Sequence, residues 1–294
     1  IGFHLSLKLL SKGFKVIGID NLNNYYSTKI KTERLKVLKK FKNFKFIKLD
    51  IKNKKKVDLI FKKKINAVFH FAAQAGVRYS LKHPRTYIEN NIAGFYNILE
   101  NSVNHKVTKM FYASSSSVYG DSKKFPLSEN NHINPKNIYG LTKKINEEIS
   151  NLTLKNNKIS IIGLRFFTIF GEWGRPDMLI FKYLKSAFNT NEKFYLNNYG
   201  NHTRDFTYIN DVNKILYKFL LKKHSSKHQV FNICSSNPIK ITNTLNLINK
   251  IIEIKPRIIK RSFQKADVFK THGDNSKIRK YLKFNKFTNF KTSI

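Results

Sequence analysis

The chain has 294 residues, 41% hydrophobic and 14% aromatic, enough to bury a substantial core and too apolar for a disordered polymer. No apolar run approaches the roughly 18 to 20 uncharged residues of a membrane span. A single cysteine, Cys234, excludes a disulfide framework and a cysteine-based zinc site. No basic-then-apolar leader is expected, and the expected location is a reducing cytoplasm. Lys and Arg number 56 against 18 Asp and Glu, a formal charge of +38. Such a charge attracts nucleic acid or anionic membrane. The lysines, however, are spread along the chain beside abundant Asn, Ile, Phe and Tyr, residues whose codons are all rich in A and T. Compositional drift accounts for this better than a nucleic-acid surface, and a basic surface would still speed encounter with a small anion.

In chain order, Ile1, Leu5, Leu9 and Leu10 recur at helical spacing, and Gly13 ends the run. Short runs rich in Val, Ile and Phe follow: "KVIGID", "FKFIKLD", "AVFHFAA", "KMFYASSS" and "ISIIGLRF", as buried parallel strands require. Stretches of helical length separate them, including "HPRTYIENNIAGFYNILENSV" and "NIYGLTKKINEEISNLTLKNN". Strand–helix alternation predicts an α/β doubly wound parallel sheet over residues 1–165. Residues 166–294 mix helices ("MLIFKYLKSAF", "DVNKILYKFLLKK", "TNTLNLINKIIEI") with short strands, and form a smaller α/β second domain packed on the first.

In a doubly wound fold, a dinucleotide pyrophosphate lies over a glycine-rich turn, and an acid about 20 residues on bonds the adenosine ribose. Gly2 and Asp20 have the types and spacing for those roles, and Asp20 suits NAD because it would repel a 2′-phosphate. Each alone is weak. The small residues of "FHFAAQAG" strengthen the case, because they let backbone approach a cofactor closely. The strongest signal is "SSSSVYG" followed by "YGLTK". Tyr139 and Lys143 share one helix face. An ammonium beside a phenol favours phenolate, so Tyr139 could take a proton from a sugar hydroxyl while hydride leaves the same carbon. A strand-end serine would hydrogen-bond that oxygen.

On these residues the chain resembles the extended short-chain dehydrogenases/reductases, in particular the nucleotide-sugar epimerases and, among them, the UDP-glucuronate 4-epimerases. "GIDNLNNYY", "FHFAAQAGVRYSLKHPRTYIENNIAGFYNILE", "SSSSVYG", "YGLTKK", "RFFTIFGEWGRPDM" and "RDFTYINDV" match in order. The resemblance implies a Rossmann-type fold, tightly held NAD and a transient 4-keto sugar. It implies Tyr139 as base with Ser115, or its neighbour Ser116, as hydrogen-bonding partner. Lys143 would bond the nicotinamide ribose, Asp50 and Ile51 would lie at the adenine, and Ala72, Ala73 and Asn91 would line the cofactor. Thr168 and Arg175 would hold the sugar carboxylate, and Arg204 the diphosphate. A homodimer through "YIENNIAGFYNILE" and "YGLTKKINEEIS" is a family expectation.

Oxidation at C4 of a glucuronate leaves a carboxylate β to a ketone, so the acid must be held against loss of CO2 by donors at a fixed angle. For Arg175 the alternative is a loop arginine pairing with Asp177. Ser116 and Ser117 stand where 4,6-dehydratases carry Asp-Glu, which argues against dehydration; decarboxylation and UDP-glucose epimerisation stay open. Other readings are an inactive relative acting as a binding module and, on charge alone, a nucleic-acid binder. Lys265 and Ala266 replace a family proline–glycine pair, which puts nucleotide contacts of Gln264 in doubt. The opening reads as a fold whose first strand and most of the glycine turn precede Ile1, a form expected to bind NAD poorly. Thr292 and Ser293 read as the N-cap of a terminal helix that does not follow.

Overall fold

Each apolar run of the first half becomes a strand. The computed structural model describes residues 1–154, 158–189, 191–225 and 227–294. The strands in order are β1 (Val16–Asp20), β2 (Phe44–Lys48), β3 (Ala67–His70), β4 (Lys109–Ser115), β5 (Ser160–Phe166), β6 (Thr168–Phe170), β7 (Phe194–Asn197), β8 (Thr203–Tyr208), β9 (His228–Ile233), β10 (Pro238–Lys240) and β11 (Ile258–Arg261). The parallel sheet comes in two pieces, β1–β2 and β3–β4–β5–β9. Strands β1 and β3 each leave one edge without a ladder partner and line the same cleft.

Side chains alternate across β4 as the pleat requires. Met110 and Tyr112 join Leu49, Val57, Phe95 and Leu99 on one face. Phe111 joins Leu5, Leu9 and Ile162 on the other. A third core, including Phe170, Tyr183, Phe194, Phe206 and Leu245, fills the later half. Later segments also return to the first half. Strand β9 returns to pair with β5, and Val212, Ile215, Leu216 and Phe219 pack in the core of the opening helix Gly2–Ser11. Two-layer packing explains the return, because β5 is buried along its whole length and needs a ladder on both edges.

Two helical segments differ from expectation. The run from His83 contains a π-helical stretch, Ile88–Ala93, between the helices Pro84–Tyr87 and Gly94–Asn104. The run from Asn137 is helical over Ile138–Thr153, and its residues 155–157 lie outside the described residues. At the end of the chain the cap is Asn289, which accepts from the Lys291 N–H at 2.9 Å and starts a helix over Phe290–Ser293. Thr292 and Ser293 therefore sit inside that helix.

Behind the ends of β4 and β5 lies a buried ion pair. Arg165 donates from Nε to Glu147 Oε1 at 2.9 Å and from Nη2 to Oε2 at 2.7 Å, and from Nη1 to the Tyr119 hydroxyl at 2.9 Å. Tyr119 donates on to Asn232 of β9 at 2.7 Å, and Ser114 donates to Glu147 at 2.5 Å. Removing one partner strands a buried charge, so Glu147→Ala should cost about 3 kcal/mol or more of stability. Urea denaturation of the two proteins measures the difference.

Candidate active site

The helix Ile138–Thr153 is started by Asn137, whose side chain accepts from the Gly140 N–H at 2.9 Å. Gly140 permits a close approach. A Cβ there would lie 2.6 Å from the Ser117 carbonyl oxygen. The helix thus lays Tyr139 beside the end of β4, where Ser115 accepts from the Ser117 N–H at 3.1 Å. Burial raises the Tyr139 phenol above its ordinary value, while the Ser115 hydrogen bond and the Arg175 charge pull it back. This corrects the expectation that Lys143 depresses the phenol. The Lys143 Nζ lies 5.9 Å from the ring centroid, and burial outweighs the charges nearby.

Lys143 is 2% exposed and makes no hydrogen bond to protein among the described residues. Burial brings its pKa down to about 8, so at neutral pH it remains an ammonium and keeps its donors for whatever enters the cleft. His70, at the end of β3, is pushed down to about 3 by burial and by Lys143, and stays neutral.

One cleft of about 2200 Å³ is lined by Gly2, Asp20, Ile51, Ala72 and Ala73 at one end, by Ser115, Ser116, Tyr139 and Lys143, and by Thr168, Arg175 and Arg204. That volume exceeds the roughly 300–1,000 Å³ of an ordinary small-ligand pocket. Asp20 closes β1 and accepts from the Leu22 N–H at 2.7 Å through Oδ1, leaving Oδ2 without a hydrogen-bond partner among the described residues. The residues at this end fit NAD. The buried ammonium without a protein partner, the open carboxylate and the small residues after β3 are a donor, an acceptor and room for backbone approach.

Two expected cofactor residues are placed otherwise. Asn91, 1% exposed, is spent on protein: its Oδ1 accepts from the Gln74 N–H at 2.7 Å, and its Nδ2 donates to the Gln74 carbonyl at 3.0 Å and to Thr142 at 3.2 Å. The π-helical stretch turns it to the loop after β3, which it braces rather than lining the cleft. Asp50 is likewise outside the lining. It accepts from Asn21 Nδ2 at 3.3 Å and from the Lys52 N–H at 3.0 Å, tying together the loops after β1 and β2.

At the other end Thr168 opens β6. Arg175 donates from Nη2 to Asp177 Oδ2 at 3.0 Å and to Met178 Sδ at 3.3 Å, so the pairing the sequence left open does form, within the cleft. Arg204, on β8, donates to the carbonyls of Thr203 at 2.9 Å and Phe269 at 3.2 Å. Burial, with Arg78 adding to it against Asp267, lowers its pKa to about 10. Next to it in sequence, buried Asp205 fixes β8 by accepting from Ser235 and Gly273.

Sequence reasoning missed Arg78 and Asp267, which line the cleft and form a two-pronged ion pair at 3.2 and 2.5 Å. The available signal for Arg78 was an arginine two residues beyond Gly76, the last residue of the small-residue loop. The turn holding Asp267 closes without the family proline–glycine pair, because the Asp267 N–H donates to the Gln264 carbonyl at 2.9 Å. Among the described residues, no group of His, Cys, Asp and Glu is arranged to hold a metal, and no helix is long and apolar enough to cross a membrane.

This fold and cleft define a nucleotide-cofactor enzyme of the short-chain dehydrogenase/reductase type. Residues 1–234 match the model of the NAD dependent epimerase/dehydratase family, and the chain belongs to that family. It is 37% identical to Protein CapI of Staphylococcus aureus over 93% of this chain and 87% of that one. It is 34% identical to UDP-glucuronate 4-epimerase 2 of Arabidopsis thaliana over 100% and 71%. The crystal structure of UDP-glucuronic acid 4-epimerase from Bacillus cereus in complex with UDP-glucuronic acid and NAD superposes with a TM-score of 0.94 at 30% identity, covering 100% of this chain and 93% of that one. The chain is thus close to the NAD-dependent UDP-sugar 4-epimerases, which are isomerases.

The Lys143 shift gives a signed expectation. With the ordinary value at 10.5 and the folded value at about 8, the ammonium persists below pH 8 and is lost as pH rises through 8. Its burial weakens the fold fully below pH 8, and that cost is relieved between about 8 and 10.5. NAD affinity, measured by calorimetry at pH 7 and pH 9.5, should fall several-fold at the higher pH, and Lys143→Ala should flatten the dependence.

Proposed function

We propose that this chain interconverts UDP-glucuronate and UDP-galacturonate through a 4-keto sugar. The observation that carries the proposal is the single cleft shared by Ser115, Tyr139 and Lys143 with Thr168 and Arg175. It sets an acid–base tyrosine beside donors suited to a sugar carboxylate.

Bound there, NAD⁺ would supply the hydride-accepting and hydride-donating chemistry at C4, and its positive charge would favour phenolate at the nearby tyrosine. Tyr139 takes the C4 hydroxyl proton and gives it back when the keto sugar is reduced on its other face. Ser115, with Ser116 beside it, hydrogen-bonds the same oxygen. The Lys143 ammonium bonds ribose hydroxyls. Asp20, Gly2, Ile51, Ala72 and Ala73 hold the cofactor, with Asp50 and Asn91 acting through the loops they brace. Thr168 and Arg175 hold the sugar carboxylate out of the plane in which CO2 departs, and Arg204, joined by Arg78, takes the diphosphate. The exposed Tyr96, Leu141 and Leu152 on the helices Gly94–Asn104 and Ile138–Thr153 support a homodimer through those helices.

A second reading, UDP-glucose 4-epimerase, is favoured by one observation: the charge of Arg175 is already met by Asp177. Incubation with NAD⁺ and either UDP-glucuronate or UDP-glucose, followed by NMR of the anomeric protons, separates the two. UDP-galacturonate is the expected product. UDP-galactose alone would establish the second reading, and a UDP-pentose with CO2 would make the protein a decarboxylase. Tyr139→Phe should lower turnover by about 10²–10⁴-fold while binding of the UDP-sugar is retained.

A further inference from the structure

The Arg175 guanidinium would have to meet a substrate carboxylate, yet it already holds one. Its Nη2 donates to Asp177 Oδ2 at 3.0 Å, and both side chains keep more than a quarter of their surface exposed. Asp177 has a second donor. The Tyr25 hydroxyl, from the loop after β1, reaches the same Oδ2 at 3.4 Å, while Asp177 Oδ1 is buried with no hydrogen-bond partner among the described residues.

Tyr25 is held firmly. Its ring packs edge-on against Tyr79 at 5.0 Å between centroids. Gly76, at φ +101°, leaves room for it, since a Cβ there would come within 2.2 Å of the hydroxyl. The loop that carries Arg175 is fastened at a separate point, where Arg34 donates to the carbonyls of Trp173 and Gly174. Asp177 therefore has a fixed phenolic donor and a cationic one on the cleft side. Arg175 is near enough to Tyr139 for its charge to act on that phenol.

We propose that Asp177 is an internal stand-in for the substrate's acid group. In the free protein it occupies a guanidinium position that a sugar carboxylate takes over, and Tyr25 keeps Asp177 satisfied once Arg175 has changed partners. The exchange is open because solvent still reaches both partners of the ion pair, and because Tyr25 spares Asp177 the cost of an orphaned carboxylate. Among the described residues Arg175 donates through Nη2 alone, so its Nε and Nη1 stay available to the incoming acid. A neutral hexose drives no exchange and meets a compensated charge. Asp177 and Tyr25 are thus specificity-determining residues acting through Arg175. The inference rests on the glucuronate reading and deepens it.

The test is calorimetric titration of the full chain, with NAD⁺ present, using UDP-glucuronate and UDP-glucose, with the ratio of the two Kd values as the readout. The wild type should favour UDP-glucuronate. Asp177→Asn removes the competitor and should move the ratio further toward UDP-glucuronate by about threefold or more, the size of a partly exposed ion pair. Tyr25→Phe removes the donor that receives Asp177 and should move the ratio the other way. Opposite signs on one substrate distinguish an exchange from general loosening, which weakens both ligands together. A ratio unmoved in both variants, or one that moves toward UDP-glucose in Asp177→Asn, overturns the exchange while leaving the glucuronate reading intact. A wild type that binds the two sugars alike overturns that reading and the exchange with it. If Asp177→Asn does not fold, Tyr25→Phe decides alone, and an unmoved ratio refutes the proposal.

Discussion

The buried carboxylate of Glu147 is the constraint on which the active-site geometry depends. It stands one turn beyond Lys143 on the same helix and accepts two hydrogen bonds from Arg165 of β5 and one from Ser114 of β4. Ser114 directly precedes Ser115. A shift of the helix along the sheet would leave an ion pair partly unmade in a low dielectric, where an unpaired charge costs most. The relative placement of Ser115, Tyr139 and Lys143 is therefore set by a charge that takes no part in the chemistry. Arg165 carries the constraint further, through Tyr119 and Asn232, to β9.

What the sequence revealed follows from the range of the interactions involved. Strand runs and the Tyr139–Lys143 spacing are local patterns, and they appear where the periodicity put them. The contacts that were missed join distant segments. Arg78 meets Asp267 across 189 residues, and Tyr25 meets Asp177 across 152; nothing in either local pattern marks its partner. Burial was also illegible. Tyr139 next to a lysine reads as a lowered pKa, but the depth of the site decides the sign. Asn91 failed in a third way. A π-helical stretch changes the direction of every side chain it carries, and a run read at 3.6 residues per turn cannot show it.

Besides the core that the earlier and later segments share, arginines make polar contacts between them. Arg34 fastens the helix after β1 to the loop after β6, and Arg78 fastens the loop after β3 to the turn at Asp267. In a chain of charge +38, these arginines have carbonyls and carboxylates fixed in front of them.

Gly76 bears on more than its own loop. Any side chain at that position would push on the Tyr25 hydroxyl and so disturb the donor that reaches Asp177. A glycine in the loop after β3, a tyrosine in the loop after β1 and an aspartate in the loop after β6 are then one mechanical unit. In evolutionary terms the three positions should change together or not at all. The backbone of Gly76, left-handed in its own right, thus reaches the partner of Arg175 through one phenol.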